Sequence, residues 1–239
     1  MDRIYIGTAG WSIASHHADA FPGDGAHIER YARQLNAVEI NSSFYRPHRR
    51  ETYEKWARSV PEIFRFSVKI PKAITHEHRL KECEALLEKF LSEANGLGEK
   101  LGVLLVQLPP SLRFEPEIAS KFFDELRSRS DTPIALEPRH ASWFGPKPTA
   151  MLKDAKISRV AADPPPVPDA TSPGGWNGLA YFRMHGSPRI YHSNYEPDRI
   201  ETIAGNMKAA NAESWCIFDN TAQFHALENA LSLKSSMLK

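Results

Sequence analysis

Cysteine is nearly absent: Cys83 and Cys216 are the only two in 239 residues. They lie far apart in apolar stretches, where free buried thiols are the usual occupants, so a reducing compartment is expected, the cytoplasm, and no disulfide framework. An excess of one charge is missing too. Lys plus Arg number 30 and Asp plus Glu 29, a net charge of +1, which supplies no global field to gather polyanions. Any nucleic-acid site would be a local patch. No apolar run approaches the roughly 20 residues that cross a bilayer, and the opening MDRIYIGTAGW lacks the apolar stretch and small-residue cleavage site of a secretory leader. Neither a membrane partner nor secretion is expected. At 41% hydrophobic and 25% charged residues the composition is that of a folded domain.

Short β-rich runs alternate with helix-period runs along the whole chain, the pattern of β/α units around a parallel sheet. The runs are Ile4 to Gly10, Ala37 to Phe44, Arg65 to Ile70, Gly102 to Leu108, Pro133 to Arg139, Ser158 to Asp163, Leu179 to Gly186 and Ser214 to Asn220. Between them Leu80, Leu87, Phe90, Leu91 and Ala94 fit one helical face, as do Leu227, Ala230 and Leu231. Eight such units in this length predict α/β class and a single (β/α)8 TIM barrel over residues 1–239, with an open doubly wound sheet as the alternative. One connection differs. Residues 163–178, DPPPVPDATSPGGWNG, cannot continue a helix and predict a loop lobe over one end of the sheet.

Side chains alternate faces along a strand, so one parity packs on the helices and the other enters a barrel's lumen. Val38 and Ile40 alternate with Glu39 and Asn41; Phe66, Val68 and Ile70 with Ser67 and Lys69; Ile134 and Leu136 with Glu137 and Arg139. Ala180, Phe182 and Met184 alternate with Tyr181, Arg183 and His185, while the fourth run ends in Gln107 and the sixth in Asp163. The charged set thus falls in the lumen at the C-terminal strand ends, where enzymes of this architecture keep their active sites. Two readings follow. Either these groups line a ligand pocket, the reading favoured here, or they neutralise one another as a plug.

In order along the chain, GTAGW (Gly7 to Trp11), EINSSFY (Glu39 to Tyr45), FSVKIP (Phe66 to Pro71), QLPPS (Gln107 to Ser111), EPRHASW (Glu137 to Trp143), RMHG (Arg183 to Gly186) and FDN (Phe218 to Asn220) resemble the DUF72 family, also called YecE-like proteins. The resemblance covers nearly the whole chain. It implies a TIM barrel but no reaction, since the family has no established one, and it is distantly similar to the xylose isomerase and endonuclease IV barrels. Ile13 and Ala14 stand where the family pattern has an aromatic, and Asp219 opens its asparagine-rich last strand end.

Glu39 and Glu137 could work as paired carboxylates, or each could form an ion pair, Glu137 with Arg139 or Arg183 and Glu39 with Lys69. Lys69 could be a Schiff-base nucleophile, though an electrostatic role beside Arg139 and Arg183 is favoured. His185 is the first candidate for proton transfer, and His140 could act likewise or cap the turn before Trp143. A phosphate-binding turn is expected around Gly186, Arg189, Tyr191 and Asn220. Trp11, Tyr45, Trp143 and Tyr191 are candidates for an aromatic wall, whereas Phe44 reads as packed core. With no HExxH, CxxC or Gly-rich nucleotide loop, neither a metal nor a cofactor is expected. The function expected is a cofactor-free enzyme with acid/base or hydrolytic chemistry on an anionic, phosphorylated or sugar-like small molecule. The alternatives are a nucleic-acid binder, repair-related, that meets phosphate through Lys69, Arg139, Arg183 and Arg189, and a noncatalytic scaffold. Oligomeric state is not legible.

Overall fold

The computed structural model describes residues 4–238. Its strands are β1 (Ile4–Thr8), β2 (Ala37–Ile40), β3 (Arg65–Lys69), β4 (Leu101–Gln107), β5 (Ile134–Glu137), β6 (Ile157–Arg159), β7 (Ala161–Asp163), β8 (Gly174–Gly175), β9 (Leu179–Met184) and β10 (Glu213–Phe218). Helices α1 (His27–Ala32), α2 (Arg50–Arg58), α3 (Glu84–Ala94), α4 (Pro116–Arg127), α5 (Pro146–Asp154), α6 (Pro197–Ala209) and α7 (His225–Met237) alternate with them. The expected α/β class is therefore found. Three helices, α4, α5 and α6, begin on a proline, whose fixed φ suits the first turn and whose missing N–H has no partner to lose there.

The ladder divides into two sheets, with strand orders β1-β10-β9-β7 and β2-β3-β4-β5-β6-β8. All pairings are parallel except β6 with β8. The single run expected over Ser158 to Asp163 is split at Val160: β6 pairs with β5, and β7 with β9. The loop of residues 163–178 is more than a lobe, because it returns Gly174 and Gly175 as a short edge strand against Ser158 and Arg159. The second run is shorter than expected. It stops at Ile40 because Asn41 turns helical (φ −81°, ψ −21°) and Ser43 Oγ donates to the carbonyls of Ile40 and Lys69.

Between β1 and β2 side chains replace most of the backbone ladder. Asn36 Oδ1 accepts from Ile6 N at 2.9 Å while its Nδ2 donates to Ile4 O at 2.7 Å; Tyr31 Oη accepts from Thr8 N and donates to Ala37 O, both at 2.9 Å. Ala9 then bridges Glu39, and Gly10 N donates to Glu39 O at 2.9 Å. A Cβ at Gly7 would run into the Ala37 carbonyl, so this close seam requires glycine.

Strand alternation produces two buried clusters. Residues such as Ile6, Val38, Val68, Leu104, Leu136 and Phe182 pack towards the helices, which answer with faces such as Phe122, Phe123 and Leu126 of α4. The opposite parity collects Tyr5, Val103, Leu105, Ala135, Tyr181 and Trp215 into a separate apolar cluster. Tyr181 stacks on Trp215 at 6.1 Å and sends its hydroxyl to Ser67 Oγ at 2.8 Å and Glu39 Oε2 at 3.1 Å. This hydroxyl is the step from the apolar floor to the charged layer above it. Both cysteines are buried and unpaired. No helix among the described residues is long and apolar enough to cross a membrane.

Candidate functional site

Arg183, fully buried, organises the charged layer. Its Nε and NH2 donate to the two oxygens of Glu39 at 2.9 and 2.6 Å, its NH1 to Glu137 Oε2 at 3.0 Å, and NH2 also lies 3.1 Å from Asp219 Oδ2. His185, two residues on and on the same strand face, places Nε2 2.8 Å from Glu137 Oε1 and Nδ1 3.1 Å from Asp219 Oδ2. Only the doubly protonated imidazolium can donate at both ends. Gln107 Nε2 donates to Glu137 Oε2 at 2.8 Å, and Arg139, with a side chain 29% exposed, reaches Glu137 Oε1 at 3.5 Å. Strand parity thus brings Glu39, Lys69, Gln107, Glu137, Arg139, Arg183 and His185 to one place.

The electrostatics follow from this packing. Burial alone would raise the Glu137 carboxyl and depress the Arg183 guanidinium. Opposite charge overrides both, holding Glu137 well below the carboxylate range and Arg183 well above its ordinary value. Burial likewise acts to lower His185, but Glu137 and Asp219 raise it on balance. Lys69 goes the other way. Burial first and Arg183 second push its amine down to about 8, only partly offset by Glu39, Glu137 and Asp219.

Several expectations are corrected here. Glu39 pairs with Arg183 and not with Lys69, whose Nζ lies 4.1 Å over the Phe44 ring. Asp163 belongs to the helix-facing parity, opposite Met184, and pairs with Arg199 of α6 at 3.1 Å. The turn after β9 offers no open phosphate cradle: Gly186 N is taken by Tyr195 Oη at 2.9 Å, Asn220 Nδ2 by Ser193 O and Asn229 Oδ1, and Arg189 is exposed to solvent. Trp143 is buried with its Nε1 on Leu112 O, and His140 Nδ1 accepts from Ser142 N as a cap. Trp11 packs edge-on against Trp56 of α2 at 5.0 Å. Tyr191, 40% exposed and edge-on to His185 at 6.0 Å, remains at the rim, as does Tyr45, 68% exposed beside Phe44. Asn41 Oδ1 is buried with no hydrogen-bond partner among the described residues.

Two residues of the site are not among the candidates named from the sequence. Asp219 follows Trp215 and Ile217 on the inward parity, and that alternation could have found it. His76 could not be found so. A π-helical turn over Ala73–Glu77, just past the end of β3, sets its ring against Phe44 at 4.9 Å, and no periodicity marks such a turn. Among the described residues no group of three or more His, Cys, Asp or Glu side chains is arranged to hold a metal ion. Two clefts open near the cluster, one of about 290 Å³ with Phe44, Tyr45, Pro71 and Ile74 in its wall and one of about 280 Å³ with Thr8, Gly10 and Phe224; larger ones, of about 390 and 320 Å³, lie elsewhere, beside Ile4 and Phe64 and beside Trp176 and Ala209.

These features define an α/β protein with a buried, strand-borne ionic site. The chain belongs to the DUF72 family, a protein family of unknown function, whose model matches residues 5–239. It is 30% identical over 172 residues to the UPF0759 protein YecE of Escherichia coli (strain K12), a stretch covering 69% of this chain and 60% of that protein. It is also 30% identical over 152 residues to the UPF0759 protein YunF of Bacillus subtilis (strain 168), covering 60% of this chain and 53% of YunF. The matches therefore span little more than half of these relatives. Crystal structures of DUF72 family proteins share the fold: one from Enterococcus faecalis V583 (TM-score 0.83, 24% identity, 99% of this chain and 96% of that one) and one from Thermotoga maritima MSB8 (TM-score 0.80, 24% identity, 99% and 100%).

Proposed function

We propose that this chain is a (β/α)8-barrel enzyme that binds an anionic small molecule, phosphorylated or sugar-like, at the C-terminal strand ends and transfers protons there with its own side chains. Closure into one barrel is supported at both sheet junctions. Val160 alone separates β6 from β7, and the Ala9–Glu39 bridge joins β1 to β2.

The observation that carries the anionic ligand is Lys69. The residue is buried, with 5% of its surface exposed, yet among the described residues its ammonium has no hydrogen bond and no ion pair. A buried cation with no direct ion pair carries a desolvation cost that the carboxylates nearby offset only in part, and an incoming anion relieves it. Local charge agrees: Arg183, Lys69, His185 as imidazolium and Arg139 face only Glu39, Glu137 and Asp219. His185 is the proton donor of this scheme, Glu137 its acceptor, and Arg139 with Lys69 the anion clamp. Glu39, locked on Arg183, serves as framework. Burial also favours a small ligand over nucleic acid, since Arg183 is out of reach of a phosphate backbone.

Thermal shift with inorganic phosphate and pyrophosphate tests the proposal. A rise in melting temperature that disappears in Lys69→Met and Arg139→Met is expected. A rise unchanged in both variants, or none with any anion, overturns the reading. Oligonucleotide binding that survives physiological salt and falls with Arg189→Ala would put the nucleic-acid reading in its place.

A further inference from the structure

Every other charged member of the cluster is held by a charged or polar partner; Lys69 is held by an aromatic ring. We infer that Lys69 is a nucleophilic amine that forms a reversible imine with an anionic carbonyl compound, with His76 as its proton carrier. This deepens the anion-binding reading and rests on it.

Phe44 joins the two residues. Lys69 Nζ stands over its ring at 4.1 Å, and the His76 ring meets it edge-on at 4.9 Å. The arrangement is fixed from below, because Ser43 Oγ donates to both Ile40 O and Lys69 O, tying the turn that carries Phe44 to the end of β3. His76 is anchored through one nitrogen only. Its Nδ1 is 2.8 Å from Thr75 Oγ1, and among the described residues Nε2 has no partner. The ring is half-buried, so Nε2 is available to a substrate.

The protonation states suit amine chemistry. Burial and Arg183 bring the Lys69 amine to about 8, so a useful share of it is neutral near neutral pH, unlike a solvated lysine. Burial, then Lys69, Arg139 and Arg79, keep His76 below the ordinary histidine value, so its imidazole can accept a proton. Glu39, Glu137 and Asp219 act on Lys69 in the opposite sense and hold its shift to a useful range.

In the reaction the Nζ lone pair attacks the carbonyl carbon, forming a C–N bond as the C=O π pair moves to oxygen. His76 takes the proton that Nζ sheds and returns it to that oxygen. The carbinolamine then loses its hydroxyl as water, with a further proton supplied through His76 as the nitrogen lone pair forms the C=N bond, and the iminium so formed gives its N–H proton back through His76. Amine and carbonyl compound give imine and one water, with no oxidant or cofactor. Arg139, whose side chain is 29% exposed, holds the carboxylate or phosphate of the carbonyl compound.

Reductive trapping tests this on the full chain. The protein is incubated with pyruvate and cyanoborohydride, and modified lysines are mapped by mass spectrometry, with acetone as the uncharged comparison. Lys69 is expected to be modified about tenfold or more faster than exposed Lys72 and Lys89 of the same molecules, and with pyruvate ahead of acetone. His76→Gln should slow trapping at Lys69 by roughly 100-fold and change its pH profile, while Lys72→Met leaves it unchanged. Lys69 modified no faster than Lys72 and Lys89 overturns the imine. The internal comparison needs no variant to fold. If phosphate still stabilises the protein through Lys69 and Arg139, the anion-binding reading survives that failure; equal trapping by acetone and pyruvate would instead keep the imine and remove the anionic substrate.

Discussion

Arg183 and Lys69 sit in one cluster and should respond to the same substitution in opposite ways. Arg183 meets Glu39, Glu137 and Asp219, so Arg183→Met strands three buried carboxylates. Breaking a buried pair in this way typically costs about 3–5 kcal/mol. Lys69→Met removes a cation that has no hydrogen bond or ion pair among the described residues, keeps the stem volume, and should be neutral or stabilising, as is common where a site is arranged for function at the expense of stability. Urea unfolding of both variants checks the contrast. A loss at Lys69→Met as large as at Arg183→Met would mean that Lys69 belongs to the structural network and would weaken the functional assignment. The contrast would divide the two readings of the charged cluster, pocket and plug, between residues, with Arg183 and Glu39 on the side of the plug and Lys69 and Arg139 on the side of the pocket.

At the level of elements, alternation within a strand was legible because it depends on neighbouring residues only. Glu39, Lys69, Glu137, Arg183 and His185 were placed together from parity alone, and their common layer rests on it. What parity could not tell was partner choice. Whether Glu39 meets Lys69 or Arg183 depends on stagger between strands far apart in sequence, and Arg183, with five donors in a planar fork, takes three carboxylates where lysine could not. The seam between β1 and β2 was illegible for a related reason. Tyr31 and Asn36 lie outside both strands and replace ladder bonds across a gap that only Gly7 allows. Tyr31→Phe keeps the ring but leaves Thr8 N and Ala37 O without their partner, an expected cost of about 1–3 kcal/mol for each buried group left unpaired. Chemical denaturation gives the total, and hydrogen exchange should show faster opening at Thr8 while β3 and β4 are unchanged. Uniform acceleration across the strands would mean that the seam is not a local weak point.

For the molecule as a whole, the near balance of 30 basic and 29 acidic residues leaves no large global charge term, so the buried cluster should govern how stability varies with pH. The sign differs by group. Glu137 and Asp219 are depressed in the fold, so their contribution is present above the ordinary carboxylate range and is lost as pH falls through their lowered values. His185 is raised: its contribution is complete below the ordinary histidine value of 6.5 and is lost as pH climbs through the folded value. Lys69 is depressed to about 8 against 10.5 for a free lysine, so the penalty on its buried charge fades as pH rises from the first value to the second. Stability should therefore peak on the acid side of neutrality, decline as His185 deprotonates, and recover part of the loss in the alkaline range as Lys69 is neutralised. Urea midpoints taken from about pH 5 to about pH 10 trace this curve, with the unfolding slope held constant as the sign of two-state behaviour. In His185→Gln the decline near neutrality should vanish; in Lys69→Met the alkaline recovery should vanish while the decline persists. A decline that survives in His185→Gln would place the responsible proton elsewhere and would remove the clamped imidazolium from the description of the site.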